Sequence, residues 1–281
     1  MTSVDLRQSL NAVSDVIHNR PPPLREFDQI YMKAADMLLQ AEHVGRRMAG
    51  RDVVFLGDGD AIGLSILHLH HQGILAEAPA RIHVLDFDER VVLSIRRFSK
   101  HFGIDGRISA ELYNVAEPMP DHHLRAFDGF YSNPPFGASN GGRSIEAFLI
   151  RCLEATDLSA EGCLVIADDD RHPWTQEVMY RTQKWLLKQG VMIGEVLPRF
   201  HTYHLDDAPN LTSCSLYLRR IAAQSTAFGS DPLPIEFVDN FYGSDSPLNV
   251  RYVKDRTGGG RFPSRDHELI PFEVDDNEAA S

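Results

Sequence analysis

The chain has 281 residues, 43% of them hydrophobic, which supports one sizeable core or one core with an appendage. No run of about 18 apolar residues occurs and the first residues lack a charged-then-apolar leader pattern, so no membrane span is expected and a cytoplasmic location is the default. The 40 acidic and 28 basic residues give a net charge of -12, which argues against a duplex-binding face and suits a small polycationic partner.

In chain order, residues 5–19 can form a short helix that Arg20-Pro-Pro-Pro breaks. From Phe27 to Met48 the apolar spacing predicts an amphipathic helix that Gly50 stops. A strand–helix alternation follows. Strands are expected at Asp52–Leu56, Arg81–Leu85, Ile108–Tyr113, Phe127–Tyr131 and Gly162–Ala167. Helices are expected over 61–74, Glu89–Phe102, Ser144–Leu158 and Gln176–Gln189. Val191–Leu197 and Leu211–Arg220 read as a closing antiparallel pair. The alternation predicts an α/β, mostly parallel, doubly wound sheet. The division is a helical extension (1–50), a nucleoside-binding transferase domain (51–222) and an irregular acidic tail (223–281) with Gly258-Gly-Gly and a DDNEAAS end. Cys152, Cys163 and Cys214 form no CxxC pair, so neither disulfides nor a cysteine zinc site is expected.

Ligands of such sheets lie beyond the C-terminal strand edge. The first strand runs into Gly57-Asp58-Gly59-Asp60, where glycines allow close backbone approach to a ligand. The second ends in Asp86-Phe87-Asp88-Glu89. Asp86 or Asp88 can accept from ribose hydroxyls, while Asp88 or Glu89 can instead cap the next helix. Asn114, after the third strand, can read an adenine edge or form a turn.

The fourth strand ends in Asn133-Pro134-Pro135-Phe136. Two prolines remove two N–H donors, so local carbonyls and the Asn133 side chain can hold a substrate amine while Phe136 offers a stacking or cation-binding face. Asp168, Asp169 and Asp170 follow the fifth strand, where three carboxylates repel unless they meet cations or water. A polyamine is one such cation. His201 and Tyr203 can line a substrate pocket; the pairs His68/His71 and His201/His204 do not guarantee convergent ligands, and no metal is expected.

The ordered set Phe27-Asp28-Gln29, Leu56 to Asp60, Leu85 to Arg90, Asn133-Pro134-Pro135 and Arg199 to Tyr203 resembles the branched-chain polyamine synthases, the N4-bis(aminopropyl)spermidine synthases, over about residues 20–222. The resemblance implies a Rossmann-like class I methyltransferase fold, decarboxylated S-adenosylmethionine as donor and aminopropyl transfer to a secondary amine of spermidine. The family's N-terminal winged-helix domain is not expected in this chain. Three positions depart from the family pattern. Gly59 replaces the middle acid of the first loop, Asn133 the acid thought to act on the amine proton, and Asn114 the acid after the third strand. A carboxamide is no general base at neutral pH, which leaves Asp58, Asp60 and Asp168 to Asp170 as candidate acids beside Asn133. Asn133 to Gly137 also resembles the motif of adenine-N6 methyltransferases, which act with S-adenosylmethionine on a flipped or unpaired base. Aminopropyl transfer, N-methyl transfer and a non-catalytic family member are the three readings; the partner is a small polycationic amine in preference to nucleic acid, with a homodimer allowed for.

Overall fold

A computed structural model describes residues 5–206, 208–221, 230–258 and 266–272. Asp207, the glycines at 259 and 260 and the acidic end fall outside them. Seven strands form one sheet: β1 (Asp52–Leu56), β2 (Arg81–Asp86), β3 (Ile108–Leu112), β4 (Phe127–Ser132), β5 (Thr156–Ala167), β6 (Val191–Thr202) and β7 (Thr212–Arg220). Their order is β3-β2-β1-β4-β5-β7-β6, parallel except for β7, which runs antiparallel to both neighbours. This is the doubly wound sheet with a terminal antiparallel pair that the pattern predicts.

Both faces are covered, which explains the near-continuous apolar runs in β1 and β5. Val53, Phe55, Ile82 and Val84 face one core with α2 (Ala34–Arg47), α3 (Ile62–His71) and α4 (Glu89–Phe102). Val54, Leu56, Leu85, Leu164 and Ile166 face the other with α5 (Arg143–Ala155) and α6 (Pro173–Lys188). The alternation is the period-2 consequence of strand pleating.

The N-terminal helix α1 (Leu6–Asn19) is capped by Asp5, whose carboxylate accepts from the Arg7 and Gln8 amides. Its Ala12, Val13 and Val16 join the first core, so this segment packs as part of the transferase unit.

The helix expected over Ser144–Leu158 ends at Ala155, and β5 begins at Thr156, ahead of the expected Gly162. Two further stretches differ from expectation. The helix predicted from Phe27 starts only at Ala34: Arg25–Phe27 is a 3-10 turn, Asp28 is left-handed, residues 29–33 are not helical, and Met32 bridges Tyr203. The physical reason is a competing pairing. Lys33 N donates to the Thr202 carbonyl at 3.0 Å, His204 N donates to the Tyr31 carbonyl at 3.0 Å, and Met32 N donates to Asp60 Oδ1 at 2.7 Å. The tail is the second. Its described residues hold a short helix α7 (Ile235–Val238) and an antiparallel hairpin, β8 (Val250–Asp255) and β9 (His267–Pro271). Phe241 and Leu248 enter the second core, and β8 straps the strand edge through Val253 N donating to the Phe87 carbonyl at 3.1 Å. No described helix is long and apolar enough to cross a membrane.

Candidate active site

A cleft of about 940 Å³, partly open to solvent, lies over the C-terminal ends of β1 to β4. The loops Gly57–Asp60, Asp86–Phe87, Tyr113–Val115 and Asn133–Phe136 form its floor, and residues 27–31, Phe148, Tyr203 and Tyr242 form its walls. The sequence-predicted Gly57, Asp58, Gly59, Asp60, Asp86, Asn114, Asn133, Pro134, Pro135, Phe136 and Tyr203 all meet here. Asp88, His201 and the acids at 168–170 do not line it.

Gly57 has φ of +72°, a conformation that glycine adopts at little cost. A Cβ at Gly59 would lie 3.3 Å from the Tyr31 ring, so the close approach of that wall depends on glycine. Asp58 turns back onto α3: its two oxygens accept from the Ile62 and Gly63 amides at 2.8 and 2.9 Å. A carboxylate at a helix N-terminus satisfies otherwise orphaned donors. Burial nonetheless pushes the Asp58 carboxyl well above its ordinary range.

Asp60 is the hub of the reacting end. Asn133 Nδ2 donates to its Oδ2 at 2.9 Å, Met32 N to its Oδ1, and Arg20 stands 3.6 Å from Oδ1. The Arg20 guanidinium also lies over the Tyr31 ring, 4.0 Å from the centroid. Burial raises the Asp60 carboxyl despite these favourable contacts. Because the Asn133 amide nitrogen is the donor to Asp60, its carboxamide oxygen is left as the acceptor.

Asp86 accepts from Asp58 N at 3.1 Å and Asp88 N at 2.9 Å, which fixes the two loops relative to each other. Burial, with Asp88 as a like charge beside it, pushes its carboxyl up to about 7. Each oxygen retains acceptor capacity for a ribose hydroxyl. Asp88 is instead structural: it caps α4, pairs with Arg90 at 2.6 Å and accepts from Gln29.

Asn114 reaches the cleft wall but not with a free amide. Its Nδ2 donates to the Val250 and Arg251 carbonyls at 3.1 and 2.7 Å, and its Oδ1 accepts from Ala116 N. It ties the tail strand to the sheet, so adenine-edge reading is not available to this side chain as placed.

His201 is fully buried between Ser213 Oγ (2.8 Å) and Gln40 Oε1 (2.9 Å), and burial pushes it down to about 3, so it stays neutral inside the core. Tyr203, its neighbour but one, reaches the cleft and meets Phe136 edge to face at 6.0 Å between centroids. The acids at 168–170 meet protein cations and amides. Asp169 pairs with Arg171, Asp170 with Arg199 at 3.1 Å, and Asp168 accepts from Arg199 N. His68 lies under Phe98 and Phe102, away from His201 and His204.

Sequence reasoning missed Arg20 and Tyr242. Tyr242 comes from the tail, stacks with Phe87 at 6.3 Å and touches Phe27 edge to face. The available signal was the Phe241-Tyr242 pair in an otherwise polar stretch; for Arg20 it was a basic residue ahead of three prolines.

The sheet order, the ligand edge and the loop chemistry define a class I methyltransferase-like domain. Its fold resembles that of an RNA methyltransferase-like protein from Pyrococcus horikoshii, with a TM-score of 0.58 at 14% identity over 77% of this chain and 100% of the other. The model of the branched-chain polyamine synthase A C-terminal domain matches residues 8–255, and the chain belongs to that family. The N4-bis(aminopropyl)spermidine synthase of Thermus thermophilus is 29% identical over 191 residues, 66% of this chain and 50% of the relative. The enzyme of that name from Thermococcus kodakarensis is 26% identical over 197 residues, 69% and 52% respectively. The chain thus spans about half the length of the curated relatives it matches. A Thermus thermophilus branched-chain polyamine synthase mutein, solved with N4-aminopropylspermidine and 5'-methylthioadenosine, superposes with a TM-score of 0.68 at 22% identity, over 84% of this chain and 70% of the other.

Proposed function

We propose that the chain is an aminopropyltransferase that moves the aminopropyl group of decarboxylated S-adenosylmethionine to an amine nitrogen of a polyamine such as spermidine. The observation that carries this reading is the charge of the cleft. Asp28, Asp58, Asp60 and Asp86 line it, and no basic side chain does among the described residues. A ligand with a sulfonium and an ammonium adds positive charge beside Asp58, Asp60 and Asp86, of which Asp60 already stands near Arg20. The carboxylate of ordinary S-adenosylmethionine would meet them as a like charge at a cost. Family membership and the names of the relatives support the same donor and acceptor.

In this mechanism Asp86 holds the ribose hydroxyls and the aromatic wall of Phe87 and Tyr242 encloses the nucleoside. Asn133 and the Pro134 carbonyl orient the acceptor amine, and Pro135, Phe136 and Tyr203 border it. Asp60 takes the proton from the ammonium nitrogen; burial raises its carboxyl, the direction that favours taking up a proton. The freed lone pair forms the new N–C bond to the carbon beside sulfur, the C–S bond breaks, and its electrons stay on sulfur in neutral methylthioadenosine. Proximity and the acidic pocket carry most of the acceleration. Asp58 serves as the cap that fixes the loop. The extension (1–50) and tail (223–281) flank the transferase unit (51–222) and complete its cleft with Tyr31 and Tyr242.

Mass spectrometry of a reaction holding a polyamine mixture, with each donor in turn, tests the proposal. The expected product gains one aminopropyl group. A methyl gain from S-adenosylmethionine identifies an N-methyltransferase of the Asn-Pro-Pro-Phe type, and no gain with either donor identifies a non-catalytic member.

A further inference from the structure

Outside the cleft, the structure gathers a second group of ligating side chains. His83 of β2 is in register with Ser109 of β3, and Glu111 lies two residues further on the same face. The 3-10 turn Asp121–His123 lies over this face and brings His122 and His123 to it. His123 Nε2 stands 3.0 Å from Glu111 Oε2, His122 Nε2 3.7 Å from the same oxygen, and His83 Nε2 3.6 Å from Oε1. Three imidazole nitrogens therefore surround one carboxylate. None of these residues lines the donor cleft, and His83 lies about 10 Å back along its strand from Asp86.

His83 turns an unpartnered ring nitrogen toward Glu111. Its Nδ1 meets Ser109 Oγ at 2.6 Å, while its Nε2 is sealed from solvent with no hydrogen-bond partner. In the tautomer whose Nδ1–H donates to Ser109 Oγ, the Nε2 lone pair faces the partly exposed Glu111 carboxylate, and a cation between them satisfies both. The rings of His83 and His123 are 4.6 Å apart and those of His122 and His123 4.0 Å, so the three imidazoles converge on one place.

We propose that His83, Glu111 and His123 bind one divalent transition-metal ion, zinc by their chemistry, with His122 as the fourth ligand. Neutral imidazoles with one carboxylate form a zinc donor set, and a second partner on the far ring nitrogen, here Ser109 on His83, is the usual support for such a ligand. The ligand atoms of His83, Glu111 and His123 all lie within 4.8 Å of one another. A tetrahedral site with bonds of about 2.1 Å spaces them about 3.4 Å apart, so the widest pair closes by at most about 1.4 Å. His122 is mostly exposed and free to swing in. The ion pins the β3–β4 connection, which begins with the cleft residues Tyr113–Val115, onto the sheet. The role is structural and independent of the group transferred.

The test uses the full chain, stripped with a chelator, dialysed, and titrated with zinc chloride by calorimetry. One equivalent binds in wild type. The double variant Glu111→Gln/His123→Gln weakens binding by more than about 100-fold, and Ser109→Ala weakens it about 10- to 100-fold. His101→Gln on α4 leaves the titration unchanged. Methylthioadenosine binding by each variant checks that it is folded. Cobalt(II) added to stripped wild type gives the strong visible absorption of a tetrahedral site, a readout that requires no variant. Absence of saturable zinc binding, absence of that band, or zinc binding unchanged in the folded double variant would overturn the proposal.

Discussion

Two acidic clusters sit at the C-terminal edge of the same sheet, and their fates are opposite. Asp58, Asp60 and Asp86 follow β1 and β2, are all nearly inaccessible, and have carboxyls raised by burial. Arg20 is the guanidinium that answers Asp60, at 3.6 Å. Asp168, Asp169 and Asp170 follow β5 and meet Arg171, Arg199 and the Arg199 amide; the Arg171 hydrogen bond pulls the Asp169 carboxyl down to about 2. The second cluster is electrostatically complete without a ligand. The first is left with excess negative charge in a cleft, the condition under which a cationic ligand gains most from binding. Strand-edge position and residue type were the same, so the difference lies in burial and in which cations the chain itself supplies.

The largest test of that contrast is Asp60→Asn. Loss of the proton acceptor is expected to lower aminopropyl transfer by about 10²- to 10⁴-fold. Methylthioadenosine affinity should change little, since that product carries neither the amine nor the sulfonium charge. Single-turnover kinetics and calorimetry separate the two. A variant with full turnover would move the proton step to another group. Asn133→Asp sharpens the same point. It sets a second carboxylate about where Nδ2 now lies, 2.9 Å from Asp60 Oδ2. Such a pair shares one proton, so the acidic limb of the pH–rate profile should move upward.

Asp86 gives the next effect through pH. Its folded-state value of about 7 lies above the ordinary 3.8. The folded protein therefore binds the extra proton, and stability from this group is full below about pH 4 and is lost as pH rises through about 7. The buried His83 and His201, held down to about 4 and about 3, act with the opposite sign. Only the difference between wild type and Asp86→Asn isolates the carboxyl. That difference should slope downward from pH 4 to 7 by at most roughly 4 kcal/mol. A cationic donor favours the ionised form, so its binding should release a proton near pH 6.5, and its affinity should fall about tenfold per pH unit below 7. Calorimetry in buffers of different ionisation enthalpy measures the release, which Asp86→Asn should abolish.

The contrast also explains what could be read from the sequence. The strand–helix alternation was legible because the central strands β1 and β5 carry buried apolar runs and helices such as α4 keep a 3.6-residue apolar stripe. The loops Gly57–Asp60 and Asn133–Phe136 were legible because their place after a strand fixes the edge they reach. Local pattern could not reveal pairing across the chain. Residues 28–33 carry a helical apolar spacing but hydrogen-bond to residues 202–204, and Asn114 is claimed by tail carbonyls 136 and 137 positions away. Likewise, no spacing shows that Arg171 and Arg199 answer the acids at 168–170 while Asp86 accepts from the Asp58 and Asp88 amides. His83, Glu111 and His123 come from two strands and a turn, which is why no ligand spacing appears.

Tyr242 separates the cleft from its cover. It is expected to contribute by stacking alone, since it stands against Phe87 and Phe27. Tyr242→Ala should weaken methylthioadenosine binding by about tenfold, in line with about 1.5 kcal/mol for an aromatic contact. Tyr242→Phe should restore it. If Phe fails to restore affinity, the phenol rather than the ring is the contributing group.

The smallest effect is the sharpest test of the contrast. Asp168→Asn and Asp170→Asn remove acids that sit at a strand edge but meet Arg199 instead of the cleft. Turnover and donor affinity should stay within about threefold of wild type, because an exposed ion pair contributes about 0–1 kcal/mol. Asp169→Asn should reduce stability by about 1–3 kcal/mol, as its buried carboxylate caps the loop amide of Arg171 and pairs with the same side chain. Turnover per folded molecule should again be unchanged. A large rise in KM for the polyamine in Asp168→Asn or Asp170→Asn, with donor affinity intact, would show that the polycation displaces Arg199. The acidic field would then extend from the buried cluster to this edge, and the two clusters would act on one substrate.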